Sequence, residues 1–378
     1  MKIRNEEADQ VNSTRHVSAP LMLKPRELIA GLAPYRSPIV SRAGLSLDLN
    51  ESMAGCSPRV LARLHSLSAK DVSLYPEREV GERLVANFLG VTPEQVLLTN
   101  GMDEALSLLF TTYLNPDDEL LFADPTFVMY PMVGEALGAR LVRQQSGEDL
   151  ALPVADLLAR ISAHTHVVAI ANPNNPTGLA ASPADLLKIT ESAPDAAVLI
   201  DEAYFEFQSE EFCGGTLLPA LASHPNLFVA RTFSKAYGLA GLRLGVLVGD
   251  PEQIGYIRRL SEPFNVSSLA LACVEEALAD QAFVREHVAQ VKQGREQLAQ
   301  LFQELGLRFW PSQTNFVQVR VGASTQVFVE SMQRRGILVR DSSANPGCEG
   351  CVRITVGTPE QMDKVLRAIR EAVAETRR

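Results

Sequence analysis

Leu227-Phe-Val-Ala-Arg-Thr-Phe-Ser-Lys235-Ala-Tyr-Gly-Leu-Ala-Gly-Leu-Arg243 is the stretch on which the reading of the chain turns. Its apolar, β-branched opening, Leu227 to Ala230, has the composition of a buried strand. The strand breaks into a polar turn that offers Thr232, Ser234 and Lys235 together, and Arg243 follows eight residues after the lysine. Two hydroxyls and a guanidinium can hold a dianionic phosphate while one amine stays free for covalent chemistry. That grouping points to a lysine that forms a Schiff base. A lone Ser-Lys pair would more simply be an ordinary surface loop, so the reading depends on what the rest of the chain supplies.

Two other segments supply it. Ala197-Val-Leu-Ile-Asp201-Glu-Ala-Tyr204 is an apolar strand that ends on a carboxylate, and open α/β sheets bind ligands at the carboxyl ends of their strands. Asp201 there can pair with a protonated pyridine nitrogen. Upstream, Val167-Val-Ala-Ile-Ala-Asn-Pro-Asn-Asn175-Pro-Thr-Gly178 is a strand running into a turn shaped by two prolines and a glycine, and it presents the Asn175 amide.

With these three segments the chain resembles the fold-type I pyridoxal-phosphate (PLP) aminotransferases, which carry N-P-x-N-P-T-G, D-E-x-Y and S-K-x-x-x-x-x-G-x-R in this order. The resemblance implies a catalytic lysine at Lys235, a ring-nitrogen partner at Asp201, and Tyr204 and Asn175 on the ring's phenolate oxygen. It also implies phosphate binding by Thr232, Ser234, Arg243 and the amides near Met102 and Asp103. Phe127 stands where relatives place the aromatic that stacks on the ring. Tyr75, in Tyr75-Pro-Glu, stands where relatives send a tyrosine across a dimer interface to the cofactor phosphate. Over nearly the whole chain the likeness is greatest to the histidinol-phosphate aminotransferases, through Pro34-Tyr35, Y-P-E, P-T-F-x-x-Y, S-K-A-Y-G-L-A-G-L-R, T-N-F and V-R-D plus V-R-I-T-V-G. Those enzymes move an amino group between L-histidinol phosphate and 2-oxoglutarate. The implied substrate contacts are Tyr35, Asn175, Arg340 and Arg353. Asp48 departs from the family's usual asparagine in the segment Leu47-Asp-Leu-Asn50-Glu51. Aromatic amino-acid aminotransferases and threonine-phosphate decarboxylases share most of these motifs and stay open as alternatives at this stage.

Composition is that of an ordinary globular protein. The chain has 378 residues, 46% hydrophobic and 21% charged, enough to bury a sizeable core in more than one domain. A net charge of −10 with no basic cluster speaks against a nucleic-acid surface. The first twenty residues mix Arg4, Glu6, Glu7, Asp9 and Arg15 without an apolar core, so no secretory leader and a cytoplasmic protein are expected. A PLP-binding regulator would need a helix-turn-helix ahead of this fold, and the acidic residues before Pro34 do not read as one.

The five cysteines, Cys56, Cys213, Cys273, Cys348 and Cys351, are expected to be thiols. Cys348-Glu-Gly-Cys351 lacks the second pair of a metal site, and His164 and His166 lack carboxylate neighbours, so no metal is expected.

The alternation of strands (about 139 to 144, 166 to 173, 197 to 204, 227 to 234 and 242 to 249) with helical patterns predicts an α/β fold with a mostly parallel sheet covered by helices. A single long helical stretch is expected over 269 to 305, leading into an α+β small domain. The expected division is an arm at 1–50, a large PLP-binding domain at 51–270 and a small domain at 271–378. Through Tyr75 and the arm, the resemblance implies a homodimer with a shared active site. Arg340 and Arg353 sit in strands among apolar neighbours, where an unpaired charge costs several kcal/mol, so both are expected to face a cavity or an anion.

Overall fold

The computed structural model describes residues 23–34, 43–209 and 215–377, so Tyr35 and Cys213 lie outside the described residues. Two sheets organise the chain. The larger has seven strands: β2 (Val96–Asn100), β3 (Glu119–Asp124), β4 (Arg140–Gln145), β5 (Thr165–Ala171), β6 (Ala197–Asp201), β7 (Leu227–Thr232) and β8 (Leu244–Val248), in the order β2-β8-β7-β6-β5-β3-β4. Every residue of β3, β6 and β8 is buried, as expected of strands covered on both faces. β4 is an edge strand, and its exposed positions are polar: Arg140, Arg143 and Gln145.

One strand departs from the parallel pattern. β8 runs antiparallel to both β7 and β2, with Thr232 opposite Gly245 and Asn100 opposite Leu244. A parallel return needs a crossover of about a dozen residues or more, usually through a helix. The β7–β8 link carries only a short 3₁₀ turn, Ala240–Leu242. The chain therefore doubles back, and this reversal brings Arg243, at the start of β8, to the same edge as Thr232, at the end of β7.

The smaller sheet has the order β1-β11-β12-β10-β9, built from β1 (Leu45–Leu47), β9 (Arg308–Phe309), β10 (Phe316–Arg320), β11 (Ile337–Asp341) and β12 (Cys351–Thr355). β1 pairs in parallel with β11 although almost 300 residues separate them in sequence, so the segment around residue 45 belongs to this sheet. Helices Thr325–Arg334 and Pro359–Thr376 pack against each other, and Phe328, Met332, Val365 and Ile369 are buried there.

The single helical stretch expected over 269 to 305 is three helices, Ser268–Ala272, Val274–Ala279 and Gln281–Glu304. Asp280 breaks the run. Its backbone, at φ −94° and ψ 57°, leaves the helical region, and its carboxylate accepts from the Phe283 amide as an N-cap and from the Ser57 hydroxyl. Helical composition on both sides hides a cap of this kind.

Candidate active site

The carboxyl edge of the large sheet faces the smaller sheet across a cavity of about 710 Å³. Its walls include Asp103, Phe127, Asn175, Asp201, Tyr204, Thr232, Ser234, Lys235, Arg243, Arg340 and Arg353. A space of this size accommodates a cofactor and a small substrate together.

One end of the cavity is built for an anion. The helix Met102–Tyr113 begins there with Gly101 as N-cap and no side chain on its first amides, leaving free N–H groups at the positive end of the helix dipole. Two glycines allow the approach. At Gly101, with φ +76°, an added Cβ would lie 2.5 Å from Arg243 Nη2. At Gly245 an added Cβ would lie 2.6 Å from the Gly101 carbonyl carbon. The buried Thr232 hydroxyl donates to Ser234 Oγ at 3.0 Å and accepts from the Ser234 amide at 3.1 Å. Arg243 closes the rim with a 3.1 Å ion pair to Asp103.

At the centre Lys235 is half-buried, and its ammonium donates to the Leu49 carbonyl at 3.3 Å. Burial, then the positive charge of Arg353, holds its pKa down to about 8, which raises the share of nucleophilic amine near neutral pH. Asp201 lies on the floor, buried. Its carboxylate accepts from the Tyr130 hydroxyl at 2.7 Å and from the Ala203 amide at 3.0 Å. Burial raises its pKa to about 6 despite those two donors. Among the described residues no cation is paired with it. A buried carboxylate of this kind is suited to a cationic partner brought by a ligand.

The smaller sheet brings two further guanidinium groups to the cavity. Arg340 and Arg353 are direct neighbours on paired β11 and β12. Arg353 donates to the Asn175 side-chain oxygen and, at 2.7 Å, to the Asp48 carbonyl. Arg340 has no carboxylate partner among the described residues. The turn after β5 is stapled by Asn174, whose amide donates to the Pro125 carbonyl at 2.9 Å and to Thr177 Oγ1 at 3.1 Å, and this leaves Asn175 to face the cavity.

The sequence reading thus placed Met102, Asp103, Phe127, Asn175, Asp201, Tyr204, Thr232, Ser234, Lys235, Arg243, Arg340 and Arg353 together, and the structure brings all of them to one cavity. Tyr75 does not reach it within the chain: it is 79% exposed and stacks on Phe264, with ring centroids 4.3 Å apart. Sequence reasoning missed Tyr130, although the aromatic falls three residues after Phe127 in P-T-F-x-x-Y. It also gave no role to Asn50, Ser342, Asn345 or Thr355. Among the described residues no cluster of three or more metal-ligating side chains occurs, and no helix is long and apolar enough to cross a membrane.

These residues fit PLP. Free helix amides, two hydroxyls and Arg243 suit its phosphate, the buried Asp201 carboxylate suits a protonated pyridine nitrogen, and Lys235 lines the same cavity with a depressed pKa.

Comparison with known proteins points the same way. The family model "Aminotransferase class I and II" matches residues 43–369. Histidinol-phosphate aminotransferase 1 of Bacillus thuringiensis subsp. konkukian is 38% identical over 334 residues, covering 88% of this chain and 89% of that protein. The histidinol-phosphate aminotransferase of Moorella thermoacetica is 34% identical over 364 residues, 93% of each chain. Among solved structures, the histidinol-phosphate aminotransferase from Sinorhizobium meliloti in complex with pyridoxal-5'-phosphate superposes with a TM-score of 0.87 at 26% identity, covering 95% of this chain and all of that one. An aromatic aminotransferase from Pyrococcus horikoshii, 21% identical with a TM-score of 0.78 over 88% of this chain and 96% of that one, shares the fold. With the family model spanning both sheets and the cavity between them, the chain belongs to the class I and II aminotransferases.

Proposed function

We propose that the protein is a PLP-dependent aminotransferase that converts L-histidinol phosphate and 2-oxoglutarate to imidazole-acetol phosphate and L-glutamate in histidine biosynthesis. The observation that carries the substrate is the guanidinium pair. Like charges side by side on neighbouring strands repel, so Arg340 opposite Arg353 is stabilised when an anion lies between or before them. A transaminase alternates two substrates in one pocket. Here the pair accepts a carboxylate in one half-reaction and a phosphate in the other.

When bound, the cofactor supplies an electron sink for the carbanion at the substrate's Cα. The chain's own residues do the rest. Lys235 anchors the cofactor, and its freed amine moves the proton to and from the substrate carbon. Asp201 would keep a proton on the ring nitrogen, Phe127 would pack on the ring, and Tyr204 and Asn175 would hold its phenolate oxygen. Thr232, Ser234, Arg243 and the Met102 and Asp103 amides fix the phosphate. Arg353 is already oriented by Asn175 and Asp48, and takes the α-carboxylate in a bidentate pair; Arg340 takes part in binding the substrate phosphate. Tyr35 is assigned to the substrate as well. The working unit is a cytoplasmic homodimer in which Tyr75 completes the neighbour's phosphate site, with no nucleic-acid or membrane partner. The exposed stack of Tyr75 on Phe264, beside exposed Leu74 and Val72, supports such an interface.

Single-turnover kinetics with histidinol phosphate and, separately, phenylalanine as amine donor test the assignment. Arg340→Ala should slow the phosphorylated donor about ten- to a hundredfold, the loss of a charge-assisted contact of roughly 1.5 to 3 kcal/mol, and spare phenylalanine. A wild type that strongly prefers phenylalanine would replace the histidinol-phosphate reading with that of an aromatic aminotransferase.

A further inference from the structure

The hydroxyl of Tyr204 is held by Asn50, which lines the same cavity. Asn50 Nδ2 lies 2.9 Å from it, with both residues buried. Which end of the Asn50 amide meets the tyrosine matters, because the nitrogen donates and the oxygen accepts. In the structure the nitrogen faces Tyr204 and the oxygen faces Thr355. The Asn50 backbone amide donates to Thr355 Oγ1 at 3.1 Å, so the Thr355 hydroxyl hydrogen is free to go elsewhere, and Asn50 Oδ1 lies 3.3 Å away to accept it. With its oxygen so engaged, Asn50 presents its NH₂ to Tyr204. Asn315 fixes the same residue from a third side, its Nδ2 donating to the Asn50 carbonyl at 3.0 Å. Asn50 itself takes φ +55°, in the left-handed region that asparagine and aspartate tolerate better than other side chains.

The polarity of this chain has a consequence at the cavity. A Tyr204 oxygen that accepts from Asn50 cannot donate back to it, so its hydrogen is directed away from Asn50, and Tyr204 lines the cavity. The relay also joins the two sheets, since Thr355 ends β12 of the smaller one and Tyr204 follows β6 of the larger.

We propose that Asn50 and Thr355 are positioning residues that set the direction of the Tyr204 hydroxyl, so that it donates into the cavity rather than accepting from it. This rests on the assignment of Tyr204 to the cofactor's phenolate oxygen. A hydroxyl donated to that oxygen lowers the proton affinity of the adjacent lysine-bound nitrogen, and turning it away raises that affinity.

The readout is the pH midpoint of the visible absorbance of the cofactor-loaded protein, with cofactor affinity measured alongside. Thr355→Val keeps the shape but removes the donor that holds the Asn50 oxygen. The midpoint should rise by about half a unit to one unit, a three- to tenfold change in proton affinity, and Thr355→Ser should restore it. Asn50→Asp tolerates the same backbone conformation and offers Tyr204 only acceptors, so it should shift the midpoint upward by at least as much. In a Tyr204→Phe background Thr355→Val should add nothing. If Tyr204→Phe moves the midpoint while Thr355→Val leaves it unchanged, or if the two shifts add, the relay is wrong. If Tyr204→Phe itself moves nothing, the assignment of Tyr204 to the cofactor fails instead. A Thr355→Val protein that loses stability but keeps the wild-type midpoint marks a purely structural residue and also overturns the proposal.

Discussion

Two opposite charges at the heart of the cavity are each held in an unfavourable state by burial, Asp201 with its pKa raised to about 6 and Lys235 with its pKa lowered to about 8. For Asp201 the sign is definite. Its folded pKa lies above its unfolded one, so stability present at low pH is lost as pH rises through about 6. In cofactor-free protein the melting temperature of Asp201→Asn should therefore gain on that of wild type as pH rises from about 4 to about 6.5 and hold level above; a constant gap across that range would show that the carboxylate is not strained. The same variant should keep its cofactor yet lose turnover about a hundredfold or more, because an amide cannot hold the ring proton, and near-normal activity would remove Asp201 from the mechanism. Asp201 was legible in the sequence because it ends an apolar run, and Asn175, Lys235 and Arg243 because each holds its place in a motif beside a strand. Tyr130 and Asn50 were not. Both stand in quoted motifs, but their roles are those of hydrogen-bond partners to Asp201 and Tyr204, 71 and 154 residues away, and only the folded chain shows those pairings.

At the scale of elements, the anion end of the site depends on how closely helix Met102–Tyr113 approaches β8. Gly245→Ala would drive a Cβ into the backbone of Gly101 and Met102. Backbone cannot swing aside as a side chain does, so a stability loss of about 1 to 3 kcal/mol is expected together with weaker cofactor binding. Gly241→Ala, where nothing lies within 4 Å of the added carbon, is the control and should be near neutral. Calorimetry and equilibrium cofactor titration check both, and equal effects at the two glycines would contradict the packing argument. The large-sheet strands expected at about 139 to 144, 166 to 173, 197 to 204, 227 to 234 and 242 to 249 were legible within a few residues, as β-branched runs bounded by turns; β1, in the stretch read as an arm, and the two-residue β9 were not. The reversal of β8 was not, because direction depends on the length of a link rather than on strand composition. The division of the 269 to 305 stretch also escaped: helical composition continues through Asp280, whose capping bonds exist only in the folded chain.

At the scale of the whole molecule, each sheet brings half of the cavity. The larger provides Lys235, Asp201 and the anion end, and the smaller provides Arg340 and Arg353. With Tyr75 directed outward, the proposed dimer should be necessary for full activity. Mixing an inactive Lys235→Ala protein with a Tyr75→Ala protein under conditions of subunit exchange should recover activity, since each mixed dimer contains one intact site; a fully active monomer in sedimentation would exclude the shared site. Borohydride reduction of the PLP-loaded protein followed by peptide mass spectrometry tests most directly whether Lys235 carries the cofactor in this cavity. The reduced cofactor should be found on the peptide containing Lys235 and be lost in Lys235→Ala. Its appearance on any other lysine, or undiminished labelling of the variant, would contradict the assignment.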